Sequence, residues 1–213
     1  MAVIAVCNQK GGCGKTTLAF NLAQAFVLEG DSVVLVDLDP QGSAADWRAM
    51  SPAGGVGFEV EPMERSVLVR NIRNLRREHS LVLIDCPPQY ADVSADAIRV
   101  SDLVLVPVQP SPLDVWATGP VVDLVLARQE VTGGSPRGAY VISRAISNTA
   151  VQRSLAQALE EKPLPLLASG TTQRVAYAVS AAAGTTVFDG RVGPARREIE
   201  ALRDEIKELL KDD

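Results

Sequence analysis

The chain has 213 residues, 46% of them hydrophobic and 22% charged, with a formal net charge of −5. That length suffices for one substantial core and is short for two domains, and no apolar run reaches the roughly 18 residues that a membrane-spanning helix needs. The acidic balance excludes a uniformly basic nucleic-acid binder, although a local basic patch is compatible with it.

The N-terminus enters an apolar run directly, without a basic segment or a cleavage site, so no secretory signal is expected. The three cysteines Cys7, Cys13 and Cys86 are an odd count and fit a reduced, cytoplasmic chain. The single histidine, His79, lies in a charged run and reads as a solvated surface residue.

Taken in chain order, Ala2–Cys7 is a buried strand. Asn8–Thr17 is a glycine-rich loop, and Thr16–Glu29 is a helix with Leu18, Leu22, Ala25 and Phe26 on one face, closed by Gly30. Ser32–Asp37 is a second strand, followed by Asp39-Pro40-Gln41, and residues 51–57 read as a mobile surface loop. A helix over Glu64–Glu78 leads to the strand Leu81–Asp85 and then Cys86-Pro87-Pro88. A helix over Asp92–Val100 leads to the strand Leu103–Pro107, a proline-rich segment and a helix over Asp114–Val131. Gly138–Ser143 is the last expected strand, with helices over Val151–Glu160 and Pro194–Lys211. The strands are continuous apolar runs, the pattern of strands covered on both faces. Alternating β and α elements predict a single α/β domain over 1–213: a doubly wound, mostly parallel sheet flanked by helices, with ligands at the carboxyl ends of the strands.

The loop carries the chemistry. In Lys10-Gly11-Gly12-Cys13-Gly14-Lys15-Thr16-Thr17, backbone N–H groups converge on an anion at a helix N-terminus. Lys15 reaches the β- and γ-phosphates, and the Thr16 hydroxyl takes Mg²⁺. The standard phosphate loop has glycine where Gln9 stands here, and a second lysine, Lys10, precedes Lys15 by five residues. Asp37 and Asp39 leave the second strand at the same crevice, and Asp85 ends a run of four apolar residues. Through an intervening water, Asp85 is a carboxylate suited to Mg²⁺.

The Lys-Gly-Gly-x-Gly-Lys-Thr-Thr loop, Asp37-Leu38-Asp39-Pro40-Gln41 and Asp85-Cys86-Pro87-Pro88 together resemble the ParA/MinD family of deviant Walker A P-loop ATPases. The chain looks most similar to the short, ParF-like plasmid-partition members that lack an N-terminal helix-turn-helix domain. The resemblance runs the length of the chain; Cys13 and Cys86 fill its variable positions. It implies ATP and Mg²⁺ as cofactors and a slow ATPase with Lys10, Lys15 and Asp39 as catalytic residues. Lys10 would reach the phosphates of ATP in the other subunit of a face-to-face homodimer, and Asp39 would orient the attacking water. Gly11 to Thr17, including Gly12, Cys13 and Gly14, would hold the nucleotide. Thr16, Asp37 and Asp85 would serve the metal, Asp37 from behind its water shell. By the same resemblance Asp114 would contact the partner's ribose. Ser143-Arg144 and Thr171–Arg174 would lie near the base.

The family further implies an ATP dimer that binds DNA non-specifically and associates with the nucleoid. A ParB-like centromere-binding or cargo-adaptor partner would stimulate its hydrolysis. Arg144, Arg153, Arg174, Arg196 and Arg197 are the candidate DNA contacts, the alternative being that they are solvated or paired with acids such as Glu198 and Glu200. Plasmid DNA is the favoured cargo; a chromosome, a protein organelle or a chemoreceptor cluster would use the same engine. The last helix argues against a MinD-like membrane-bound division regulator. From Arg196 onward it carries five basic and seven acidic residues, whereas a membrane-surface helix has a basic polar face. An iron–sulfur reductase would need cysteines away from the nucleotide loop. A small-molecule kinase or ligase would have little use for Lys10.

Overall fold

A computed structural model describes residues 1–146, 155 and 157–211. Six strands form one parallel sheet: β1 (Ala2–Val6), β2 (Val33–Asp37), β3 (Glu59–Pro62), β4 (Leu81–Asp85), β5 (Leu103–Val108) and β6 (Arg137–Ile142). Their spatial order is β3-β2-β4-β1-β5-β6. The helices are α1 (Lys15–Leu28), α2 (Ser43–Met50), α3 (Arg65–Glu78), α4 (Ala91–Val100), α5 (Pro112–Ala117), α6 (Gly119–Thr132), α7 (Val175–Ala182) and α8 (Pro194–Lys211).

Successive side chains of a strand point to opposite faces, so a strand apolar at every position needs two cores. Ile4, Val6, Leu81 and Leu83 join one cluster with α1, α2, α7 and α8. Val3, Ala5, Val82 and Ile84 join the other with α3, α4, α5 and α6. In the first cluster Phe20 is fully buried; it stacks on Trp47 at 4.3 Å between centroids and meets Phe58 edge-on at 4.9 Å.

The expected sheet class and the strands around β1, β2, β4, β5 and β6 are present. Three elements were not anticipated, and each has a weak sequence signal. β3, Glu-Val-Glu-Pro, is an edge strand half-exposed along its length, where charge and proline protect an open edge. α2 buries only Ala44 and Trp47, and α7 only Tyr177 and Ser180. The helix expected over Asp114–Val131 is two helices. Pro112 opens α5 at its first turn, and Pro120 follows the break at Thr118, where its missing N–H and its ring interrupt the ladder. The segment 51–57 is not wholly a surface loop. Val56 is buried in the first cluster, and Gly57 donates its N–H to Gln24 Oε1 at 3.0 Å. The helix expected over Val151–Glu160 lies largely outside the described residues; 157–160 are helical.

Register brings the chemistry to one edge. Val6 pairs with Asp85, and Asp85 with Asp37, so the loop after β1 lies beside two carboxylates. The chain leaves β1 towards β2 on one side and later places β5 on the other; such a switch point opens a crevice at the carboxyl ends. Phe20→Ala should destabilise the fold by about 3–5 kcal/mol. Urea unfolding should show a lower midpoint with an unchanged slope, and a midpoint equal to wild type would contradict the packing described.

Candidate functional site

The loop between β1 and α1 lines a cavity of about 940 Å³ together with Asp39, Pro88, Ser143, Arg144 and the 171–175 segment. Two glycines make its shape possible. Gly12 and Gly14 have φ of 74° and 92°, left-handed values that side chains resist, and a Cβ on Gly14 would lie 2.7 Å from Ser143 Oγ. Gly14 caps α1 without any side-chain hydrogen bond, and the first turn holds no acid. The N–H groups and the positive end of the helix dipole are left for an anion.

Lys15 is buried, with its ammonium donating to the Lys10 carbonyl at 3.0 Å. Thr16 and Thr17 line the same cavity. The Cys13 thiol donates to the Lys10 carbonyl at 3.2 Å, and burial raises its pKa. Cys7 and Cys86 lie behind the loop with sulfurs 2.7 Å apart, and all three cysteines are buried.

The three carboxylates differ in state. Asp37 is buried, which raises its pKa, but it accepts N–H bonds from Asp39, Ala44 and Ala45, each at 3.0 Å. It thereby caps α2, the helix the sequence did not reveal. Asp39 is half-buried at the cavity and accepts the Gln41 N–H at 3.0 Å. Asp85 is 1% exposed, and neither of its oxygens has a hydrogen-bond partner among the described residues. Burial pushes its pKa up to about 7, with Asp37 and Asp39 adding to the rise while Thr16 and Lys15 oppose it. An orphaned buried carboxylate next to a threonine hydroxyl fits a hard, oxygen-seeking divalent cation. Thr16 and Asp85 would hold Mg²⁺ here, with Asp37 alongside.

Lys10 pairs with Asp114 at 2.7 Å within the same subunit; the side chains are 38% and 3% exposed. Asp114 thus faces its own Lys10 rather than an outer surface, and its Oδ1 has no partner among the described residues. The Lys10 backbone N–H is fixed by Asn8 Oδ1 at 3.0 Å, and Asn8 Nδ2 is anchored on the Pro107 carbonyl at 2.7 Å. Gln109 Nε2 donates to the Gly12 carbonyl at 2.7 Å. Sequence reasoning missed Asn8 and Gln109 as loop supports, since their contacts with Pro107 and Gly12 join residues about a hundred positions apart.

Arg144, with φ of 55°, lies over the loop and donates to the Gly12 carbonyl at 3.0 Å. Arg174 is held by Glu198 at 2.7 Å, and Glu198 also accepts from Thr172 and Tyr177. Arg196 pairs with Glu200 at 2.8 Å and stacks over Phe188, whereas Arg197 is exposed. Arg153 lies outside the described residues. The expected basic cluster therefore has two of its members in ion pairs. No helix among the described residues is long and apolar enough to cross a membrane.

Residues 4–187 match the CobQ/CobB/MinD/ParA nucleotide binding domain family. The chain is 30% identical over 209 residues to maintenance of carboxysome distribution protein A of Halothiobacillus neapolitanus, covering 97% of this chain and 94% of that one. It is 33% identical over 163 residues to the chromosome-partitioning ATPase Soj of Thermus thermophilus, covering 63% of this chain and 64% of the relative. A solved ATP complex of an McdA variant from Cyanothece superposes with a TM-score of 0.78 at 16% identity, over 97% of this chain and 96% of that one, a likeness of fold.

In the folded protein Asp85 titrates near 7 against an ordinary 3.8, so the folded state holds an extra proton between those values. Its contribution to metal-free stability is present below pH 4 and is lost as pH rises through 7. Asp85→Asn should therefore be more stable than wild type in metal-free buffer at about pH 8, with the difference shrinking towards about pH 4. Thermal melts with and without Mg²⁺ and nucleotide check this. A variant destabilised equally at both pH values would contradict the assignment.

Proposed function

Because the chain belongs to the CobQ/CobB/MinD/ParA family of nucleotide-binding domains, we propose that it is a ParA-type ATPase. It forms an ATP-dependent sandwich dimer that positions a large cargo over DNA. The observation that carries the reading is Lys10: its side chain is 38% exposed at the phosphate loop, and its ammonium is held by Asp114, whose side chain is 3% exposed. A cation so presented suits the phosphates of a second subunit better than those of its own loop, where Lys15 already stands.

Exposed apolar side chains favour the same face. Tyr90, Leu113 and Trp116 are 53%, 64% and 70% exposed. Tyr90 follows β4, and Leu113 and Trp116 lie in α5 after β5, so all three belong to the carboxyl edge that carries the loop. A second copy docking there would cover them and close the cavity over ATP.

Within that dimer the chain's residues divide the work. The loop N–H groups and Lys15 bind the triphosphate, and Asp39 orients water in line with the γ-phosphorus. Lys10 of the partner balances charge developing on the bridging oxygen as the terminal P–O bond breaks, the role of an arginine finger. Thr16 and Asp85 would hold Mg²⁺, which would supply positive charge against the negative charge of the triphosphate. Asp114 steadies Lys10 before exchange and is free for the partner's ribose after it. An activating adaptor protein would speed hydrolysis and return the subunits to the monomer.

The cargo we favour is a protein assembly of the carboxysome kind, for which the relative aligned over nearly the full length is named. The relative named for chromosome partitioning supports a second reading with DNA as cargo, the plasmid included.

Lys15→Ala should abolish ATP binding. Asp39→Ala should keep ATP affinity, lower stimulated hydrolysis by about 10²-fold or more, and accumulate as a dimer with ATP. Nucleotide titration and light scattering after gel filtration check both. Equal loss of binding in the two variants would contradict the roles assigned.

A further inference from the structure

α3 holds five of the chain's arginines in fourteen residues, on a protein of net charge −5. Its apolar face, Leu68, Ile72 and Leu75, is buried in the second core cluster. Two of the five are engaged: Arg65 by Asp96 and Asp92 at 2.7 and 3.1 Å, and Arg76 by Asp102 at 2.8 Å. Arg70, Arg73 and Arg77 are exposed, and none makes a side-chain hydrogen bond or ion pair among the described residues. Their spacing places them in one stripe on the outward face, extending over about 10 Å of helix axis. Arg99 of α4 is also exposed, but it lines the groove between the two helices together with the acids Glu64 and Asp96 and so stands apart from the three. The nearest acids along α3, Glu64 and Glu78, lie at its two ends.

We propose that Arg70, Arg73 and Arg77 form a binding stripe for the phosphate backbone of duplex DNA. Guanidinium groups match phosphate in charge and fork geometry. The stripe offers no aromatic group for base stacking, which agrees with contacts to backbone rather than sequence. A lipid surface is a poor fit, because the apolar face that would insert is already in the core. The candidate arginines of the C-terminal third are poorer phosphate donors, since Arg174 and Arg196 are neutralised by Glu198 and Glu200.

Position gives the stripe its link to ATP. α3 starts after β3 at the carboxyl edge and runs back towards the start of β4, so Arg70 to Arg77 lie on a flank that a face-to-face dimer leaves open. A monomer carries one stripe and the ATP dimer two. ATP then strengthens DNA binding by bivalency, without reshaping either surface.

The inference rests on the DNA-binding part of the proposed function, and the test separates the two. Fluorescence anisotropy with a long duplex of arbitrary sequence is measured against salt, using Asp39→Ala with ATP. Adding Arg70→Ala, Arg73→Ala and Arg77→Ala should weaken binding about tenfold or more and flatten the salt dependence by about 0.9 per lost phosphate contact. ATP affinity and dimer mass should stay unchanged. The same three positions as lysine should restore most binding. On a duplex too short to reach both stripes, the advantage of ATP over ADP should largely vanish. Unchanged affinity in the alanine variant, with loss instead in Arg196→Ala/Arg197→Ala, would overturn the stripe while leaving the proposed function intact. Absence of DNA binding by the unmodified ATP dimer would overturn both. Vesicle binding that depends on the stripe while DNA binding does not would likewise overturn it.

Discussion

Asp85 sets the terms for the rest of the site. A carboxylate that is 1% exposed and lacks hydrogen-bond partners among the described residues is costly for a folded core to keep charged, and its pKa near 7 records that cost. The neighbouring Asp37 is buried too, but three backbone N–H bonds satisfy it. The difference between adjacent aspartates is chemical: one is satisfied by backbone N–H groups, and the other has oxygens without partners among the described residues, as a cation ligand would. Across the loop the complementary incompleteness appears, with an uncapped helix N-terminus and a buried lysine ammonium resting on a backbone carbonyl. A divalent cation carried by a polyphosphate would complete both halves together.

The sequence made this edge legible because its signals are local. The loop is a run of ten residues, and Asp37 and Asp85 each end an apolar run whose burial is dictated by a parallel sheet covered on both faces. The strand register then puts the two carboxylates side by side with little freedom to do otherwise. What was not legible depends on distant partners or on compensation. The Lys10–Asp114 pair joins positions 104 apart. β3 is encoded by charge and proline, which read as loop until the edge of a sheet gives them a purpose. Thr118 sits in an apolar helical pattern, and only the absent N–H of Pro120 marks the break. For Arg174 the sequence left DNA contact and pairing with an acid such as Glu198 both open, and the packing of α8 decides for the pair.

The surface divides along similar lines. The carboxyl edge carries the nucleotide cavity, Lys10 and three exposed apolar side chains, features that a second subunit would cover. The α3 flank carries unpaired guanidinium groups and stays open in such a dimer. In the proposed function, separating the two surfaces in this way would let hydrolysis act on DNA affinity through subunit number alone. It would also reconcile the net charge of −5 with the proposed DNA binding, because Arg70, Arg73 and Arg77 share one exposed face of α3.

The most direct measurement of the central claim, that Lys10 acts across the dimer, mixes two inactive variants. Lys10→Ala keeps its own Asp39 but offers no cation to its partner, whereas Asp39→Ala offers Lys10 but cannot orient water. In a heterodimer of the two, the site of the Lys10→Ala subunit regains every group, with Lys10 arriving from the other subunit. Phosphate release under stimulating conditions should be near background for each variant alone and should rise when they are mixed, reaching its maximum near equal proportions. A mixture no more active than its components, although light scattering shows ATP-dependent heterodimers, would place Lys10 in its own subunit's site and contradict the account.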